Sequence, residues 1–86
     1  MKIVFYKKFK KTLDKLRKNE KGRFKQRKNI FIIQPFHSIL NNHALSGKYE
    51  GYRSINIGGD LRVIFKLLTE DIALFITIGT HSNLYR

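Results

Sequence analysis

The stretch Tyr52-Arg53-Ser54-Ile55-Asn56-Ile57-Gly58-Gly59-Asp60-Leu61-Arg62-Val63-Ile64-Phe65 decides the fold. Residues that favour pleated strands flank a Gly-Gly pair, the pattern of two antiparallel strands joined by a tight hairpin. Working outward, Asp60–Leu68 continues the second strand, and Thr69-Glu70-Asp71 is a second turn. Ile72–Gly79 then reads as a third strand. Two-residue loops at both turns set Ile57 opposite Asp60, Ile55 opposite Arg62 and Arg53 opposite Ile64. Past the second turn they set Phe65 opposite Ile76, Val63 opposite Ile78 and Arg62 opposite Gly79.

Side chains alternate between the faces of a strand, so this register assigns them. Leu61, Val63, Phe65, Leu67, Leu74, Ile76 and Ile78 form the core face, and Asn56 falls on that covered side. The other face holds Arg53, Asp60, Arg62, Lys66 and Thr77, with Ile55, Ile57, Ile64 and Phe75 exposed among them. One further step brings His81 beside Asp60. A carboxylate, an imidazole and a guanidinium therefore gather at one end of the sheet.

Upstream, Ile3–Tyr6 reads as a short opening strand. Phe9, Leu13 and Leu16 then recur at helical spacing among lysines. Asn19 and Gly22 mark a break. A second helix is expected from about Lys21 to Gln34, ending before Pro35, with Phe24 and Phe31 on one face, although the run Ile30-Phe31-Ile32-Ile33 also suits a strand. Residues 36–48 read as a loop. The expected fold is α+β: a short N-terminal strand, two helices, then an antiparallel three-strand meander with the helices packed on one face.

The length of 86 residues fits one domain, spanning 1–86. So small a domain buries only ~60% of its unfolded surface. An apolar fraction of 42% is ample for a folded chain. Cysteine is absent, which excludes disulfides and thiolate metal sites. The N-terminus has no apolar signal segment, and Ile72–Ile78 is too short to span a bilayer. A cytoplasmic protein with no membrane association is expected.

The net charge of +12 calls for a polyanionic partner, because self-repulsion of that size costs stability. Thirteen of the 18 basic residues precede Asn29. Lys7, Lys8, Lys11 and Lys15 are too evenly spread to read bases and suit a surface that tracks phosphates. Lys48 and Arg53 extend it, and Tyr49 and Tyr85 offer flat rings for bases to stack on.

His81 and His43 are candidates for the base and the acid that RNA cleavage through its own 2′-hydroxyl would require, help worth about 10²–10⁴-fold per group, and each also reads as a surface histidine. Arg62 suits a phosphate whose charge grows in the transition state. His37 reads as a loop residue. Of the six acids only Asp60 falls in this site, too few for a two-metal nuclease, so no cofactor is expected.

Three motifs, taken together, carry a resemblance. They are His43-Ala44-Leu45-Ser46-Gly47 with Gly51-Tyr52-Arg53, then Asp60-Leu61-Arg62-Val63-Ile64-Phe65, then Gly79-Thr80-His81-Ser82-Asn83-Leu84-Tyr85. The chain resembles the RelE/ParE toxin superfamily, in its YafQ-like branch. That resemblance implies the toxin of a type II toxin–antitoxin pair, an mRNA interferase acting on the ribosome. It leaves a 2′,3′-cyclic phosphate and is neutralised by a cognate antitoxin, expected to be acidic and encoded alongside. It also implies catalytic roles for His43, Asp60, His81 and Tyr85. Arg62 resembles the catalytic arginine of the RelE and YoeB branches. Two positions depart from the branch, which has a histidine at Asn56 and a tryptophan at Leu61. A gyrase-poisoning toxin of the ParE type and a non-catalytic RNA-binding domain are the competing readings.

Overall fold

The structure is a computed structural model that describes residues 1–85. Five strands form one sheet in the order β1-β5-β4-β3-β2. Strand β1 is Lys2–Phe5, β2 His43–Ala44, β3 Arg53–Gly58, β4 Leu61–Thr69 and β5 Ile72–Thr80. The expected meander is β3-β4-β5. Two further strands extend it: β1 lies parallel to β5, and β2 pairs antiparallel with β3 inside the segment expected to be a loop.

Helices α1 (Phe9–Asp14) and α2 (Lys18–Ile33) cover one face. The expected break at Asn19 and Gly22 is absent, and both residues lie within α2. Glu20 explains the early start. It accepts from the Arg17 N–H at 3.0 Å, closing the first turn. That backbone N–H, then the Arg17 guanidinium, hold the Glu20 carboxyl below its ordinary range. Glycine in a helix costs about 1 kcal/mol, which the packing of Phe24 and Phe31 outweighs.

An aromatic core explains that packing. Phe31 meets Phe65 at 5.2 Å and Phe75 at 5.3 Å, while Phe9 meets Phe24 at 5.6 Å and Phe75 at 5.9 Å. Each such pair contributes roughly 0.5–1.5 kcal/mol beyond its area. Ile55, Ile57, Leu61, Val63, Ala73 and Ile78 fill the space between them.

The first hairpin differs from expectation by one residue. Gly58 pairs with Leu61, so Gly59-Asp60 forms the loop, and Asn56 rather than Ile55 faces Arg62. Ile57 is bulged out of the ladder. The cause is local: Asn56 Oδ1 accepts the Gly58 N–H at 3.1 Å, a side-chain turn that competes with the strand. Gly58 and Gly59 take φ values of 131° and 55°, which glycine alone adopts freely. A second irregularity skips Ile76, so Phe65 pairs with Phe75 instead, whereas Val63–Ile78 and Arg62–Gly79 pair as expected.

These bulges redistribute the faces. Ile55, Ile57 and Phe75, expected to be exposed, are wholly buried beneath the helices. Leu67 is exposed, and Leu74 and Ile76 are only partly covered. Ile64 does lie on the far face with Arg62, yet it is buried there too. The exposed apolar surface expected on that face does not exist.

Candidate active site

The face away from α2 follows from the corrected register. One cross-strand row runs His43, Ser54, Ile64, Thr77, and the next runs Asn56, Arg62, Gly79. Asn56 is therefore on the open face and not under the helices. Its Oδ1 accepts from Arg62 Nη1 at 3.1 Å as well as from Gly58. One amide oxygen thus fixes both the turn and the guanidinium.

Arg53 departs from its expected place. It pairs with Phe65, which puts it on the helix side, away from Arg62. There its Nε donates to Asn42 Oδ1 at 2.8 Å, and its guanidinium lies 5.3 Å from the Phe36 ring centre.

His43 stands exposed on β2. Its Nδ1 lies 2.7 Å from the Asn41 carbonyl oxygen. A carbonyl only accepts, so Nδ1 carries a hydrogen, which makes Nε2 the nitrogen that faces outward to exchange a proton. Asn41 sits in the left-handed region at φ 45°, which turns the chain out of the preceding 3₁₀ turn, Ser38–Leu40. His37 caps that turn by accepting the Ile39 N–H at 3.1 Å, a structural duty.

His81 opens the tail helix α3 (His81–Leu84) directly after β5. Its backbone N–H donates to the Asp60 carbonyl at 3.1 Å. The contact between His81 and Asp60 is this main-chain bond and does not involve the carboxylate or the imidazole. The His81 ring is exposed and stacks on Tyr85, with centroids 4.6 Å apart and planes at 28°. Tyr85 meets Tyr49 edge-to-face at 5.3 Å, and Tyr49 donates its hydroxyl to the Leu84 carbonyl at 2.8 Å. Leu84 is buried against Gly79, so the tail roofs part of this face.

Sequence reasoning missed two contacts. Asn56 on Arg62 was signalled only by the Asn-x-Gly spacing of an Asx turn. Lys66 Nζ lies 5.8 Å from the Tyr52 ring centre, and no sequence pattern announces that pair. Lys48 lies 5.1 Å from the Tyr49 ring, which keeps it beside the tail. Lys7, Lys8, Lys11 and Lys15 are exposed, on α1 and the turns at its ends, in the helical layer rather than on the face of His43 and Arg62. Among the described residues, no three His, Asp or Glu side chains gather to hold a metal ion.

The arrangement can bind a phosphate at a guanidinium, accept a proton at one imidazole and present another on the tail. The family model of the bacterial type II toxin–antitoxin toxin YafQ matches residues 1–86. No curated protein matches in sequence. Among solved structures, YafQ from E. coli strain BL21(DE3) is 24% identical, with a TM-score of 0.81 over 98% of this chain and 97% of its own. The toxin fold in the E. coli DinJ-YafQ complex is 25% identical, with a TM-score of 0.79 over 98% and 97%. The archaeal RelE-RelB complex from Pyrococcus horikoshii OT3 gives 20% identity and a TM-score of 0.73, covering 92% of each chain.

Proposed function

The chain belongs to the YafQ family of bacterial toxins from type II toxin–antitoxin systems, and from that premise we propose that it is a metal-independent endoribonuclease acting on mRNA at the ribosome. The carrying observation is the open face, where Arg62, oriented by Asn56, shares its row with Gly79, and His81 follows two residues later. His43 stands on the same face one row away.

The chemistry needs one proton removed and one delivered. His43 Nε2, turned outward by the bond at Nδ1, takes the proton of a ribose 2′-hydroxyl. The 2′-oxygen then attacks the adjacent phosphorus, and Arg62 meets the charge that grows on the phosphate oxygens. The bond to the 5′-oxygen breaks, and His81 protonates that leaving oxygen. One product ends in a 2′,3′-cyclic phosphate and the other in a 5′-hydroxyl, so atoms and protons balance. Asp60 holds the start of the tail helix, and Tyr85 supports the His81 ring. The exposed lysines of the helical layer, with Lys48 and Arg53, draw in the polyanion.

Two relatives were solved as toxin–antitoxin complexes, DinJ-YafQ and RelE-RelB. By the same family reasoning this chain has a cognate antitoxin, and its charge of +12 calls for an acidic one. The cytoplasm is its place of action, since mRNA is the substrate. Among the described residues no helix is long and apolar enough to cross a membrane.

Translation in a cell extract tests the reading. The wild-type protein should shorten the mRNA and leave cyclic-phosphate ends, and His81→Ala should slow this at least about a hundredfold. Equal mRNA survival with both proteins would refute it.

A further inference from the structure

Helix α3 has four residues, far too few to hold itself in water. Its place is therefore set by what grips it. At its start, Thr80 Oγ1 accepts the Asn83 N–H at 3.3 Å, and the His81 N–H reaches the Asp60 carbonyl. Leu84, its last residue, lies so close to Gly79 that a Cβ there would come within 3.3 Å of it. The grip at its end comes from a different segment. Tyr49 donates its hydroxyl to the Leu84 carbonyl, one of the last carbonyls that a helix cannot pair internally. The Tyr49 ring also meets Tyr85 edge-to-face, and Tyr85 in turn stacks on His81.

Tyr49 closes the short 3₁₀ turn Gly47–Tyr49, which follows His43 in the chain. The segment that presents one imidazole thus reaches across to clamp the segment that presents the other. We infer that Tyr49 is a positioning residue: its phenol locks the tail of the chain and so sets where the His81 imidazole stands relative to His43. The clamp itself stands on the contacts alone, while its importance for chemistry rests on the nuclease reading above. The sequence leaves Tyr49 either as a ring for bases to stack on or as a packing residue of the small domain. In the fold its hydroxyl is bonded within the chain and its ring is packed against Tyr85, with Tyr52 6.4 Å away.

Tyr49→Phe removes the hydrogen bond and keeps the ring. Proton NMR of the histidine rings reads the result, with the sheet amides reporting that the chain is folded and His43 serving as internal control. In the wild type, the stacked Tyr85 ring shields the His81 ring protons. In Tyr49→Phe the His81 signals should move toward their unstructured positions while those of His43 stay. The kcat for RNA cleavage should fall about tenfold with KM within about twofold, the mark of a displaced group rather than a lost binding contact. Unmoved His81 signals would overturn the inference whatever the activity. Moved signals with unchanged kcat would overturn the link to chemistry, and loss of the folded amide pattern would make Tyr49 a fold residue instead. If the wild type cleaves no RNA, the nuclease reading fails, and the His81 signals still decide the clamp.

Discussion

Asn56 holds two donors on one oxygen, the Gly58 N–H and Arg62 Nη1. A histidine stands at this position in the YafQ branch that the sequence resembles. Here the side chain cannot move a proton and instead orients a guanidinium. A bond to a charged donor contributes about 1.5–3 kcal/mol, so Asn56→Ala should slow cleavage about 10–100-fold. Arg62→Ala should cost about 10²–10³-fold, as loss of a charge-stabilising donor does. If Asn56 acts through Arg62, the double variant should be little slower than Arg62→Ala alone. Multiplying effects in single-turnover kinetics would contradict that coupling. At this scale the sequence was legible for residue type and not for facing. His43, Asp60, Arg62 and His81 could be named from chemistry, but the bond that puts Asn56 beside Arg62 also shifts the register used to place it.

The hairpin between β3 and β4 shows why elements were legible when boundaries were not. Gly58-Gly59 announced the turn, and the turn formed. The Asx turn then moved it by one residue, bulged Ile57 and exchanged the neighbours of Arg62. Alternation patterns assume unbroken pairing, and a single bulge reverses the inference for every residue beyond it. The parallel partnership of β1 with β5 was illegible for another reason: both helices separate the two strands in sequence, and periodicity says nothing about distant partners. Arg23 crosses this same turn, its Cδ and Nη1 only 3.0 Å from where a Gly58 Cβ would stand. Gly58→Ala must therefore carry φ 131° on an L-residue and displace Arg23. The expected cost is about 2 kcal/mol, or roughly 10 °C of Tm for a chain this size. A melting temperature within about 2 °C of wild type would show that the turn relaxes without strain.

The whole molecule divides its work between two faces of one sheet. Phenylalanines from both helices and from β4 and β5 fill the helix side. The helical layer carries most of the positive charge, so under the proposed function the pull on a polyanion and the chemistry belong to opposite sides of the sheet. Composition alone made the charge legible. The bond from Tyr49 to the tail was not, because it joins segments 35 residues apart.

In the proposed cleavage the attacking oxygen belongs to the RNA itself. An mRNA carrying one deoxynucleotide immediately 5′ of the mapped cleavage point tests it most directly, in a translating extract with the all-ribose message as control. Cleavage there should vanish while other sites on the same message are cut as before. Cutting of the deoxy-substituted linkage at the ribose rate would contradict the account.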